Sequence, residues 1–342
     1  MFDVPEEVTG GFPDRDTVLA ALRLAVCAPS VHNTQPWRWR IGGGSVHLFA
    51  DPARALPATD PDGRDLMLSC GIALHHLRVA FTAFGWAPTV RYLPDRDPTH
   101  LATVDLAPSE PDHDDIVRAA AITRRRSDRR AYTPGPLPTS HIAVLRAAAA
   151  AEGAVTRAVT DPGPRGRLLA LIADADRAQR ARPEYATELA LWTGRPAGST
   201  DGVPAGHTPR QVRYGDLITR RFSAPELEQP PSLSGAAKDG AGTLLVLGTA
   251  ADDPLARLRA GEATSALLLT ATGLRLATCP ITQALEVPAT RELLRTTVLD
   301  DLVPQMILRV GTPAPDAPPL PVTPRRPLRE VFDLLAWTPR PC

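Results

Sequence analysis

Ala28-Pro29-Ser30-Val31-His32-Asn33-Thr34-Gln35-Pro36-Trp37 and Arg124-Arg125-Arg126-Ser127-Asp128-Arg129-Arg130-Ala131-Tyr132 are the two stretches on which the reading of this sequence turns. The first stops a helix and enters a strand. Pro29 cannot continue the leucine, valine and alanine repeat that runs at helical spacing from Asp16 to Ala28, with Asp14 or Asp16 as its cap. The second gathers several guanidinium groups, a hydroxyl and an aromatic ring into one short run.

Beyond the first stretch, Trp37–Ile41 and Val46–Phe49 flank Gly42-Gly43-Gly44 and read as a hairpin. No helix follows those glycines, so they are not a dinucleotide fingerprint. Asp65 to Phe84 is apolar nearly all round and ends at Gly85, which predicts a buried central helix. Thr89–Leu93 and Ala102–Leu106 read as strands.

A second series starts near Asp114 and runs through the arginine cluster to a helix at His141–Ala151, a strand at Val155–Val159 and a helix at Arg167–Arg180. Residues 192–240 are rich in Gly, Pro, Ser and Thr, which inside a compact enzyme predicts a functional lid. Order resumes with a strand at Thr243–Leu247, a helix from Leu255 or Ala260 to Gly273, a strand at Met306–Val310 and an arm containing Pro324-Arg325-Arg326-Pro327. Each series thus carries one apolar helix rich in small residues and closed by glycine.

The 342 residues leave room for about two domains. An apolar fraction of 43%, a charged fraction of 22% and a formal net charge of +0 are ordinary for a globular chain and call for neither nucleic acid nor a membrane surface. Lys238 is the only lysine, so Schiff-base chemistry has little to draw on, while arginine offers planar forks for phosphate. Cys27, Cys70, Cys279 and Cys342 lack metal-ligand or CxxC spacing, which suits a reducing cytoplasm. Met1–Glu7 has no basic region followed by an apolar stretch, so no secretory signal is expected, and no run of 18 apolar residues occurs.

The Pro29–Trp37 and Arg125–Arg129 segments resemble the two pocket elements of nitroreductase-like FMN enzymes, and their reversed order resembles the single-chain, internally duplicated Acg-type group. The resemblance spans most of residues 16 to 335 outside the lid. It implies an α+β nitroreductase fold: two repeats in one chain, a pseudo-dimer of antiparallel sheets packed with central helices, with one FMN between the halves. The expected halves are 1–115 and 116–342. Each lacks what the other retains. Ala151-Glu152-Gly153 is followed by nothing like Asn-x-Gln-Pro-Trp, and no Arg-Arg-Ser precedes the first helix.

By that resemblance, Pro29, Ser30, Asn33 and Gln35 belong near the ribityl chain and the polar edge of the flavin. Arg125, Arg126, Ser127, Arg325 and Arg326 are the candidates for the phosphate, to which guanidinium groups make charge-assisted bonds worth roughly 1.5–3 kcal/mol each. Arg129 belongs by the N1/C2 edge, where a cation favours the reduced flavin. Pro280, Ile281, Thr282 and Gln283 resemble the loop that passes N5. Many family members carry a glutamate and glycine there, and Thr282-Gln283 departs from that pattern, which removes an acidic side chain for positioning nicotinamide.

The implied activity is an FMN-dependent ping-pong oxidoreductase with NAD(P)H as donor and a small aromatic acceptor. Two other readings stay open: a flavin store whose lid excludes both substrates, and a flavin dehydrogenase specialised for one unusual substrate. The chain is expected to be a pseudo-dimeric monomer or a weak homodimer. Other meanings of the motifs carry less weight. The arginines could form a solvated face or an RNA patch, but only Tyr132 interleaves them. Pro29–Trp37 could be a bare helix stop. His32 and the adjacent His75-His76 lack partners spaced for a metal, and Cys27 and Cys279 read as buried small residues.

Overall fold

Asp14 opens the first helix by accepting a 2.7 Å hydrogen bond from the Thr17 amide. The computed structural model describes residues 11–210, 212–233 and 242–334, so residues 1–10, part of the expected lid with Lys238, and residues 335–342 with Cys342 lie outside the described residues. Helix α1 (Arg15–Ala25) buries Val18, Ala21, Leu22 and Ala25, one face at helical spacing. A hairpin of β1 (Trp37–Gly42) and β2 (Ser45–Ala50) follows, turning through Gly43 and Gly44 at φ 61° and 71°, a left-handed pair suited to a two-residue turn. Helix α2 (Arg64–Ala83), β3 (Trp86–Tyr92) and β4 (His100–Pro108) complete the first unit.

Helix α3 (His113–Arg124), held at its start by a capping box between Asp112 and Asp115, leads to α4 (Thr139–Ala151) and β5 (Val155–Val159). An insertion then carries α5 (Pro162–Arg180), α6 (Pro183–Trp192) and four short strands, β6 (Thr193–Arg195), β7 (Val203–Pro204), β8 (Arg213–Tyr214) and β9 (Leu217–Ile218). The second unit resumes with β10 (Thr243–Thr249), α7 (Pro254–Gly273) and β11 (Ala277–Ile281). After these come α8 (Gln283–Glu286), α9 (Pro288–Val298), β12 (Val303–Gly311), α10 (Leu328–Val331) and β13 (Phe332–Leu334).

The two units share one order of elements. Strands β3-β4-β2-β1 form one antiparallel sheet and β11-β12-β10-β5 another, so α1, β1, β2, α2, β3, β4 match α4, β5, β10, α7, β11, β12 position by position. Strand β13 pairs in parallel with β1, Trp39 opposite Phe332, so the end of the described chain completes the first sheet. Helix α2 has the length and composition of a membrane span, yet 78% of that window is buried inside the protein. Its apolar surface is taken up by the first sheet, α1 and α7.

Candidate functional site

Pro29 ends the α1 segment, and the backbone that follows is strained: His32, Asn33 and Gln35 sit at φ 45°, 56° and 52°. Such conformations cost non-glycine residues about 1–3 kcal/mol each and persist only where surrounding bonds fix them. Here Ser30 Oγ accepts from the Gln35 amide at 2.9 Å, and Ser69 Oγ accepts from the Val31 amide at 3.2 Å. The strained turn forms one wall of a cleft enclosing about 990 Å³, open mouth included.

The opposite wall comes from the second unit. Ser127 bridges Thr278, and the Asp128 amide donates to Thr278 O at 2.8 Å, which lays residues 127–128 along the edge of β11. Alternation along this extended run turns Ser127 and Arg129 into the cleft with Cys279, while Asp128 and Arg130 pair with each other at 2.8 Å. Pro280, Ile281, Thr282 and Gln283 continue the wall. From the insertion, Arg220 and Phe222 cover it, and the Arg129 guanidinium lies 5.0 Å from the Phe222 ring. Arg309, fully buried on β12, lines the cleft between the rings of Tyr132 and Tyr214, at 3.9 and 4.6 Å. In the sequence Arg309 has a single signal, a lone cation in the apolar strand Met306–Val310, too weak to mark it as a site residue.

Of the residues picked from sequence, Pro29, Ser30, Ser127, Arg129 and Pro280–Gln283 share this cleft, whereas Asn33, Gln35, Arg125, Arg126, Arg325 and Arg326 are not on its wall. Asn33 Nδ2 donates to Gly202 O at 2.9 Å and Pro324 O at 3.2 Å. Gln35 Nε2 donates to Thr200 O at 2.8 Å, and its Oε1 accepts from the Arg326 amide at 2.8 Å. These two amides therefore pin the insertion and the carboxyl-terminal arm onto the first unit. Arg326 also reaches Asp51 at 3.8 Å.

The arm carries Arg325 to the other corner. Its Nε and Nη2 donate to Ala28 O at 3.2 Å and Cys27 O at 3.1 Å, the carbonyls that close α1. Arg126 Nη1 donates to Thr123 O at 2.7 Å at the end of α3. Arg125 is 5% exposed, and its Nε and Nη1 have no hydrogen-bond partner. Burial, with the Arg325 charge beside it, pushes Arg125 down to about 9, and burial pushes Arg325 down to about 10. Buried cations that repel one another, with orphaned donors, form an arrangement that an anion would satisfy. The donor set fits a phosphate.

At the far end of the cleft, the acidic side chain absent at Thr282-Gln283 arrives one helical turn later. Thr282 Oγ1 donates to Glu286 Oε1 at 2.5 Å, and Arg220 forms a buried ion pair with the same carboxylate while also bonding Tyr185 Oη. Gln179 Nε2 donates to Glu286 Oε2 at 2.5 Å. Glu286 is thus fully engaged in holding Arg220 over the cleft.

Asp65, in the first turn of α2, is different. It lines the cleft, is 4% exposed, and neither carboxyl oxygen accepts a hydrogen bond. Arg64 Nη2 stands 3.1 Å from Oδ1, but that guanidinium aims its donors at Gln305 O, at 2.8 and 3.1 Å. Burial pushes the Asp65 carboxyl up to about 7, aided by Asp60 and Glu286 and opposed by Arg64 and Arg220. A helix start favours the anion by about 0.3–1 kcal/mol, less than one pKa step, whereas desolvation of a buried acid is worth several. Desolvation wins.

The Nitroreductase family profile matches residues 122–312. A Mycobacterium tuberculosis H37Rv protein named as a candidate NAD(P)H nitroreductase is 48% identical over 331 residues, covering 96% of this chain and 94% of its own. A second from that strain, the candidate NAD(P)H nitroreductase acg, is 35% identical over 324 residues, covering 94% and 96%. Among solved structures, a candidate nitroreductase from Anabaena variabilis overlays with a TM-score of 0.48 at 12% identity, covering 88% of this chain and 90% of its own. An FMN-bound nitroreductase from Bacteroides fragilis does so with a TM-score of 0.38 at 19% identity, covering 59% and 90%.

Proposed function

The chain belongs to the nitroreductase family, and on that premise we propose that it is an FMN-dependent oxidoreductase with one flavin in the cleft between two fused, duplicated halves, residues 1–115 and 116–342. The single observation that carries this reading is Arg125, buried with two guanidinium nitrogens unpartnered and repelled by the neighbouring Arg325 charge, beside a cleft walled by both halves. When bound, the flavin would supply hydride or electron transfer between a reduced nicotinamide and a small aromatic acceptor.

This chain's own residues would bind and orient. Arg125 and Arg325 would neutralise the phosphate, with Ser127 at the near edge of the cleft. Arg129 sets a fixed positive charge beside Cys279 and Pro280, where it favours a reduced, anionic ring system. Phe222 and Arg220 would screen part of the cleft from water. The three described cysteines are free thiols, which suits a cytoplasmic protein.

A single site is supported by what fills the matching position on the other side of the molecule. There Tyr92, at the end of β3 as Thr282 follows β11, donates to Glu262 Oε2 at 2.8 Å. Arg78 Nη1 donates to Glu262 Oε1 and Glu152 Oε2, each at 2.7 Å. A self-satisfied ion-pair network occupies that volume, and the fused halves make a second subunit unnecessary.

One observation favours the storage reading: the Glu286–Arg220 pair latches the insertion over the cleft. Anaerobic mixing of the purified yellow protein with NADPH, then dithionite, decides between them. Bleaching by NADPH supports the oxidoreductase. Bleaching by dithionite alone supports storage, and a colourless protein that takes up no added FMN rejects both.

A further inference from the structure

We propose that Asp65 is the proton donor of the cleft, handing its carboxyl proton to the oxygen of a bound acceptor as that acceptor is reduced. The inference rests on the oxidoreductase reading above and names a residue for a step that reading leaves without one.

Three observations converge on Asp65. Among the described residues it is the one carboxylic acid on the cleft wall. Both of its oxygens lack a hydrogen-bond partner, because the adjacent Arg64 spends its donors on Gln305. It also shares the cleft wall with polar groups from three elements: Ser69 on its own helix, Thr282 past β11, and Arg220 from the insertion. The other charged or basic groups on the wall are poor sources of a proton. Arg129, Arg220 and Arg309 are guanidinium groups, and His32 is buried beside Arg220 and Arg129 and held well below its ordinary range.

Each hydride taken up by such an acceptor is accompanied by one proton, which a carboxylic acid on the cleft wall can supply. A quinone that takes up hydride, with the electrons originating in a reduced nicotinamide that leaves oxidised, becomes a hydroquinone monoanion. As the Asp65 O–H bond breaks, the second hydroquinone O–H bond forms. The carboxylate left behind recovers a proton from solvent through the mouth of the cleft. The same group serves a nitro oxygen that leaves as water. The charges that face Asp65 set its readiness: burial, Asp60 and Glu286 favour the proton-bearing form, while Arg64 and Arg220 oppose it. Because that balance holds the proton near neutrality, Asp65 is loaded at working pH and still able to release it.

The test uses the full-length, FMN-loaded protein with a soluble para-quinone as acceptor, comparing wild type with Asp65→Asn and Asp65→Glu. Oxidation of the reduced protein should slow by roughly a hundredfold in D65N, recover in part in D65E, and lose in D65N the fall in rate that wild type shows above neutral pH. Infrared spectra of the flavin-free proteins give a readout independent of turnover: a protonated-carboxyl band near neutral pH in wild type, absent in D65N. The proposal is overturned if D65N binds FMN and is oxidised with wild-type rate and pH profile, or if the band is missing from wild type. Failure of wild type itself to bind FMN overturns the oxidoreductase reading, and the proposal with it, while the infrared band still reports on the carboxyl alone.

Discussion

Gly71 and Gly261 meet backbone to backbone where α2 crosses α7: a Cβ on Gly71 would stand 2.1 Å from Leu258 O, and one on Gly261 would stand 2.2 Å from Leu68 O. Each glycine lies against the carbonyl three residues before the other, so the contact is reciprocal, as a two-fold rotation would make it. That symmetry accompanies the matching strand orders of the two sheets. It also fixes the depth of the cleft, because Asp65, Leu68, Ser69 and Ile72 on α2 form its floor.

Gly71→Ala should therefore destabilise far more than an ordinary helix Gly→Ala change, which normally gains from propensity. The obstructing atom is backbone, so the helices must separate, at a cost of about 3 kcal/mol or more. Denaturant midpoints of G71A and G261A should fall together. A neutral midpoint for either would place the helices farther apart than described.

Arg125→Met should act with opposite sign on two measurements. Stability of the flavin-free protein should hold or rise, since a buried cation without an anion is removed. FMN affinity should drop roughly tenfold to a hundredfold, the worth of one charge-assisted contact. Equal losses in both would make Arg125 a structural residue.

Asp65 also leaves a mark on stability against pH. A carboxyl whose folded value, about 7, exceeds its unfolded value of 3.8 binds its proton more tightly when folded. Its stabilising contribution is complete below the unfolded value and is lost as pH rises through the folded one. D65N cannot ionise, so its stability relative to wild type should climb between about pH 4 and about 7 by a few kcal/mol. Parallel curves for the two proteins would contradict the placement of this carboxyl.

Glu286→Ala should release the insertion. It leaves Arg220 buried without its carboxylate, at a cost of about 3 kcal/mol, which corresponds to roughly hundredfold faster amide exchange in residues 212–222. Unchanged exchange there would mean that other contacts close the cleft.

Much of the scaffold is readable from periodicity. The hairpin through Gly43-Gly44, the buried helix from Arg64 to Ala83 and the strand Val155–Val159 stand where apolar spacing puts them. Helix α3 is not readable in that way: Ile116 and Val117 are 53% and 40% exposed, so no apolar stripe announces a helix that rests on its capping box and small residues. Helix α5 begins at Pro162, earlier than Arg167, because Pro162-Gly163-Pro164 looks like a breaker although proline is tolerated in a first turn. Strand β11 hides in what reads as a loop.

The site divides along the same line. Residues on the two walls are found from local motifs, since their chemistry lies within each motif. What Asn33 and Gln35 grip is set by Gly202, Thr200 and the arm, distant segments whose approach no local pattern encodes. Arg309 and Asp65 are missed for the same reason: a buried charge matters through its surroundings, which only the fold supplies.

One FMN per chain, held between the two halves, is what the proposed function requires. Heating the purified, FMN-saturated and desalted protein, then quantifying released flavin against protein, tests it most directly. One FMN per chain is expected, lost in a variant lacking both Arg125 and Arg325. Two per chain, or none retained, would contradict it.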